Sequence, residues 1–200
     1  MHLEFLLEEP SAEAFLSGFL PRIVAQGTTW NLIQFQGKAD LLANLERRLT
    51  GYRRWLPDNG RIVVLVDEDR QDCRELKMRL EAAAAAAGLT TKTASNGRTF
   101  QVLNRIVVEE LEAWFLGDLE GLRTAYSGVP PGLGSRAAFR DPDRVPGGTW
   151  EALERVLVKA GHFSGGLGKI ELARTMAAHL EPARNRSKSF QTFMRGMADL

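Results

Sequence analysis

The chain has 200 residues, 44% of them hydrophobic and 26% charged, with a formal net charge of +1 at pH 7. That length and composition suit one globular domain, or one domain with an appended helical portion. The near-neutral charge excludes a molecule that is cationic all over and grips nucleic acid by bulk charge. No run approaches the ~18 apolar residues of a membrane span, and the start Met1-His2-Leu3-Glu4 lacks the basic stretch of a secretory signal. Cys73 is the sole cysteine, which leaves no disulfide and no thiolate-rich zinc site. The expected setting is the cytoplasm, away from any membrane.

Taken in order, the mostly apolar run His2–Leu7 predicts a strand that ends on Glu8 and Glu9. Pro10 and Ser11 open a helix, with Ser11 as N-cap and Ala14, Phe15, Gly18, Phe19 and Leu20 at helical spacing. Pro21 either ends that helix or passes into a short turn to Ala25. Residues 28–35 alternate and predict a second strand. After Gly37, the residues Leu41, Leu42, Leu45, Leu49, Tyr52 and Trp55 mark the apolar stripe of an amphipathic helix, with Arg47, Arg48, Arg53 and Arg54 outside it.

Past the turn Pro57–Gly60 comes Ile62-Val63-Val64-Leu65-Val66, aliphatic throughout and β-branched at all but one position. Such a run predicts a strand buried on both faces of a parallel sheet. It stops at Asp67, with Asp69 two residues on. A helix then runs from Asp72 into six alanines and stops at Gly88, where Cys73 is placed to pack rather than to act as a nucleophile. Leu89–Ala94 is a candidate fourth strand and Phe100–Val108 a better one. A helix starts near Glu109 and carries Leu111, Trp114, Phe115 and Leu116.

From Ser127 to Gly148 there is no periodicity, which predicts a lid or a connector. Thr149 then caps a helix to about Ala160, and further helices cover Lys169–Leu180 and Ser187 to the end. The glycine-rich Gly165-Gly166-Leu167-Gly168-Lys169-Ile170 lacks the first glycine, the Ser/Thr and the preceding strand of a phosphate-binding loop, and reads as a loop capping the next helix. The alternation predicts an α/β fold with a mostly parallel, Rossmann-like sheet flanked by helices. Its expected division is an α/β domain over 1–126, the connector over 127–148, and a helical C-terminal portion over 149–200 packed on the same domain.

Acids recur where strands give way to helices. Glu8 and Glu9 follow the first strand, Asp67 and Asp69 the third, and Glu110 and Glu112 the last, with Asp118 beyond. In a parallel sheet these ends share one edge, where open α/β sheets hold ligands. Crowded carboxylates repel one another, so they call for a cation, and oxygen donors suit Mg²⁺ or Mn²⁺. The first and third strands are therefore expected to be parallel neighbours, with Glu8 within reach of Asp67.

An acid after the first strand and Asp-x-Asp after the third resemble the Toprim fold of topoisomerases, primases and OLD-type nucleases. More closely, the chain resembles a Toprim-like bacterial family labelled a domain of unknown function. The resemblance rests on Leu7-Glu8-Glu9-Pro10-Ser11, Val66-Asp67-Glu68-Asp69, Glu110-Leu111-Glu112-Ala113-Trp114 closing on Asp118, and Arg184-Asn185-Arg186-Ser187-Lys188-Ser189-Phe190. Glu9 stands where the Toprim pattern has glycine, and its helical Glu is displaced, Ala12 preceding Glu13.

The resemblance implies a Mg²⁺- or Mn²⁺-dependent nuclease that cleaves phosphodiester bonds, DNA ahead of RNA. Asp67 and Asp69 would be metal ligands, Glu8 a general base or further ligand, and Glu110 and Glu112 a second metal position. Arg184, Arg186 and Lys188 would meet the nucleic-acid backbone. An ATPase partner in a phage-defence or DNA-processing system is implied too, and a homo-oligomer is left open. The competing expectation is a non-catalytic Toprim-like module that binds a nucleotide or a protein partner. Asp-x-Asp also occurs in haloacid-dehalogenase phosphatases, but there the pair sits on an early strand and is followed by Thr or Val, where Arg70 stands here.

Overall fold

A computed structural model describes residues 1–69, 71–163, 166 and 168–200. Arg70, Ser164, Gly165 and Leu167 lie outside the described residues, and with them part of the glycine-rich loop expected before Lys169, of which Gly168 stands at the cap position of the helix beginning at Lys169. Four strands, β1 (His2–Leu7), β2 (Thr29–Gln34), β3 (Gly60–Asp67) and β4 (Val102–Val107), form one all-parallel sheet in the order β2-β1-β3-β4. The first and third strands are hydrogen-bonded neighbours, Leu7 opposite Leu65, as their sequences predict.

Side chains alternate along a strand, and both faces of this sheet are covered. Leu3, Phe5, Leu7, Val63 and Leu65 enter one core with α1 (Pro10–Ile23), α4 (Glu112–Gly117), α5 (Leu119–Ala125), α6 (Thr149–Lys159), α7 (Lys169–His179) and α8 (Lys188–Ala198). Leu6, Ile62, Val64 and Val66 enter the other, under α2 (Lys38–Tyr52) and α3 (Cys73–Ala86). Trp114 anchors the larger core, packed against Phe15, Phe190 and Phe193. No helix among the described residues is long and apolar enough to cross a membrane.

Several local expectations are corrected. Glu9, not Ser11, caps α1: Pro10 takes the first helical position, and the Ser11 hydroxyl turns back to Glu9 Oε2 at 3.1 Å. The helix continues through Pro21 to Ile23, with the bond that a residue 21 N–H would give left unmade. Leu89–Ala94 is turn, joined to β4 by the single bridge Thr91–Val102. Gly148, at φ 92°, takes the cap position expected of Thr149, whose hydroxyl is buried inside α6. α4 begins at Glu112 rather than near Glu109, because Glu109 adopts φ 61°. Trp55 leaves the apolar stripe of α2 and is 58% exposed.

Residues 127–148 carry three 3₁₀ turns, and Val129, Leu133 and Val145 are buried in the larger core. Asp143 pins this segment to the C-terminal helix, accepting Ser187 Oγ at 2.6 Å, Ser189 N at 3.0 Å and Ser189 Oγ at 3.1 Å. The segment is thus sewn to the core at both apolar and polar points.

Candidate functional site

A parallel strand that ends in a carboxylate delivers it to the carboxyl edge of the sheet, and here three strands do so side by side. Glu8 follows β1, and its Oε2 accepts the backbone N–H of Asp67, the last residue of β3, at 3.0 Å. The loops after β3 and β4 are tied together, Asp69 N to Glu109 O at 2.9 Å and Glu109 N to Glu68 Oε2 at 3.2 Å. Asp69 (φ 54°) and Glu109 (φ 61°) both occupy the left-handed region that side chains disfavour. Such backbone persists where surrounding bonds over-determine it. Glu110 and Glu112 follow this turn, and the Glu112 charge reaches Asp67.

Burial defines the electrostatics. Glu8, Asp67 and Glu112 are buried, Glu9 and Glu110 half-buried, and Asp69 opens to solvent. Burial lifts the Glu8 pKa to about 7, against the pull of Lys38 and the Asp67 N–H and with help from Asp69 and Glu9. Burial likewise lifts Glu112 to about 7. Asp67 is pushed well above the carboxylate range by burial and then by Glu8, Glu9, Glu112 and Asp69. Glu110 is raised by burial, Lys169 opposing. Glu8, Asp67, Glu110 and Glu112 are thus each raised by burial and by neighbouring acids.

Two cations that sequence reasoning passed over frame the cluster. Lys38, the first residue of α2, pairs with Asp69 and donates to Glu68 O at 3.2 Å. Lys169, the first residue of α7, lies 3.7 Å from Glu110 Oε1 and 3.9 Å from Glu9 Oε2, with its ammonium 5.0 Å from the Trp150 ring centre. Burial works against the Lys169 charge, but Glu112, Glu9, Glu110 and Asp67 outweigh it and raise its pKa. A signal for Lys38 was available: it follows Gly37 at the end of β2, hence at the same edge. Lys169 was set aside with the glycine-rich stretch that precedes it.

As placed, no group of three or more His, Cys, Asp or Glu side chains among the described residues is disposed to hold a metal ion. The donor chemistry nonetheless fits a hard cation, being all oxygen and partly orphaned. Both carboxylate oxygens of Glu112 and Oε2 of Glu110 are buried without a hydrogen-bond partner. Glu8, Asp67, Asp69, Glu110 and Glu112 are the residues that would hold it.

The family model described as a domain of unknown function, DUF4276, matches residues 7–198. The chain belongs to that family. No curated protein and no solved structure matches it. The DUF4276 match spans every acid of the cluster and both lysines, while its description assigns no activity.

The C-terminal cations of the DUF4276 chain stand apart from this cluster. Arg184 is engaged by the buried Asp118 at 3.0 Å and by Glu120 at 3.7 Å, and Arg186 donates to Phe139 O at 3.3 Å. Lys188 is exposed and in no salt bridge among the described residues. Much of the motif around them is structural: Asn185 donates to Trp114 O at 2.8 Å, and Ser189 Oγ accepts the Trp114 indole N–H at 2.9 Å. His162 bonds Ser127 O, away from the acids. The Cys73 thiol is pushed up by burial and by Glu68, the wrong direction for a nucleophile.

Proposed function

We propose that this chain is a Toprim-type, Mg²⁺- or Mn²⁺-dependent phosphodiesterase acting on nucleic acid, DNA ahead of RNA, and working with an ATPase partner. The observation that carries this reading is the cluster Glu8–Asp67–Glu110–Glu112 at the carboxyl edge, with buried carboxylate oxygens that no protein donor satisfies. Asp67 and Asp69 would bind the metal with Glu8, and Glu110 and Glu112 would serve a second position. A bound divalent ion supplies Lewis acidity toward a phosphoryl oxygen and an acidified water.

The protein's own part is positional and acid–base. Glu8 is held by the Asp67 N–H through Oε2, which leaves Oε1 to accept a proton from the attacking water. A carboxylate lifted to about 7 is matched to that task near neutral pH. Lys38 and Lys169 flank the acids and would meet the charge of the scissile phosphate. Lys188 is the C-terminal cation best placed for the backbone contact expected of that segment, since Arg184 is already committed to Asp118 and Glu120.

A second reading is favoured by Lys169 itself. Its ammonium already stands among Glu9, Glu110 and Glu112, as it would in a non-catalytic module whose acids are neutralised internally. Thermal melts with and without Mn²⁺ separate the two. Wild type should gain Tm on adding Mn²⁺, and Asp67→Ala should not. A gel cleavage assay with Mg²⁺ or Mn²⁺, run with the ATPase partner present, should show cleavage that Glu8→Gln removes. Equal melts for both proteins, and no cleavage even with the partner, would end the nuclease reading.

A further inference from the structure

The last turns of α2 carry Arg47-Arg48, and Arg53-Arg54-Trp55 follow directly after its end at Tyr52. No salt bridge among the described residues engages any of these four arginines. Arg53 is occupied in another way, its guanidinium lying in the space that a side chain at Gly88 would take. Arg47, Arg48 and Arg54 are exposed, and so is Trp55. The patch therefore sets a large exposed indole beside guanidiniums that no carboxylate among the described residues neutralises.

The surface is also built, not loose. Tyr52 is buried, its hydroxyl donating to Glu4 Oε2 at 2.8 Å. The same Glu4 carboxylate receives Asn31 Nδ2 and His2 Nε2, each at 2.8 Å. Three donors therefore hold one buried carboxylate, and that carboxylate holds the Tyr52 ring. Trp55 packs on this ring with centroids 4.9 Å apart, and the Arg48 guanidinium lies 5.4 Å from the Tyr52 centroid. Arg47 is oriented by Asn44 Oδ1 at 2.7 Å. These groups line a cleft of about 510 Å³ that runs beside α2 from Phe35 and Asp40 to Trp55. At its upper end the Asp40 carboxylate is taken up by Asn44 Nδ2 and the Gln36 N–H, at 2.6 and 3.0 Å.

We propose that this cleft binds single-stranded nucleic acid, a base stacking on Trp55 and phosphates meeting Arg47 and Arg48. A fixed aromatic platform with cations beside it is what an unpaired strand needs, because every base offers a π-face and every linkage a charge. A duplex, its bases already stacked, gains nothing from the indole. α2 also links this cleft to the acids: Lys38, two residues before Asp40, holds Asp69. A strand lying along the helix would thus be led toward the carboxyl edge, although the binding itself does not depend on the acids being catalytic.

The test is fluorescence anisotropy of a labelled oligothymidylate, in EDTA, over a series of NaCl concentrations. Trp55→Ala should weaken binding roughly 5- to 150-fold, the range for losing one base–aromatic stack. Trp55→Phe should retain most of the affinity. The double variant Arg47→Ala/Arg48→Ala should flatten the plot of log affinity against log salt by about 1.4, at ~0.7 per phosphate on a single strand. Asp67→Ala should bind like wild type, so that loss of catalysis and loss of this cleft are told apart. Wild-type affinity in Trp55→Ala and the arginine variant would overturn the proposal, as would preference for duplex over single strand. Sedimentation showing that Trp55→Ala turns a dimer into monomers, with no oligonucleotide bound by wild type, would overturn it in favour of a second copy.

Discussion

Glu112→Gln isolates the electrostatic cost of the acid cluster. Glu112 is 1% exposed, and neither of its oxygens has a hydrogen-bond partner. Burial raises its pKa from 4.5 to about 7, so the folded chain holds the Glu112 proton more tightly than the unfolded chain does. The associated stability is fully present below pH 4.5 and is lost as pH climbs through about 7. At ~1.4 kcal/mol per pH unit the ionised residue costs the fold roughly 3 kcal/mol above that range. A glutamine has the same shape and no charge, but its amide still lacks partners, so the net gain at pH 8 is about 2 kcal/mol, or ~4–8 °C in Tm for a chain of this size. At pH 5 only about a quarter of the penalty has developed, roughly what the unpartnered amide costs, so the gain should all but vanish. Circular-dichroism melts of both proteins at the two pH values, in EDTA, measure this. A Tm gain equal at pH 5 and pH 8, or a loss at pH 8, would refute the reasoning.

Lys169→Met removes the ammonium that Glu9, Glu110 and Glu112 share, and should lower Tm at pH 8 by more than at pH 5, with added Mn²⁺ restoring part of the loss if those carboxylates take a cation. Arg184→Ala leaves Asp118 buried beside the N–H groups of Glu181 and Gly121 alone; because Arg184 is partly exposed, screening holds the cost to about 1–2 kcal/mol, read by urea titration. Burial pushes Asp118 up, but Arg184 and those two N–H groups outweigh it and lower its pKa; that stability is present above the ordinary aspartate range and goes as pH falls through the lowered value, so wild type should lose its advantage over Arg184→Ala in acid. Gly117→Ala drives a methyl into the Asn185 amide that bonds Trp114 O, an overpacking worth ~1–3 kcal/mol in the same titration.

The strands and the edge they share were legible because each feature is local. A β-branched run that halts at an aspartate, as Val66-Asp67 does, states both burial and its end within a few residues. The pairing of β1 with β3 follows once both ends are seen to be acidic. Lys169 was not legible in the same way, since it meets Glu9 and Glu110 across long stretches of chain through the packing of α7 on α1, and no spacing announces that. Trp55 was misread for the opposite reason: the 3.6-residue period places it on the apolar stripe, but α2 ends at Tyr52, and beyond a helix end its period no longer applies. The motif around Arg184 looked like a cationic arm because charge is visible in sequence, whereas its partners Asp118 and Phe139 are not.

The carboxyl edge differs from the rest of the chain in how it treats buried acids. Elsewhere this protein satisfies the carboxylates it buries. Glu4 receives His2, Asn31 and Tyr52; Asp118 receives Arg184 and the N–H groups of Gly121 and Glu181; Asp143 receives Ser187 and Ser189. Each is an acid whose burial cost is offset by donors that the local chain supplies. At the carboxyl edge the same sequence leaves the Glu112 oxygens without a hydrogen-bond partner and sets Asp67 and Glu110 in its field. The chain thus offsets the burial cost of three carboxylates with its own donors and leaves that of Glu112 largely unmet, which is the contrast on which the proposed metal site rests.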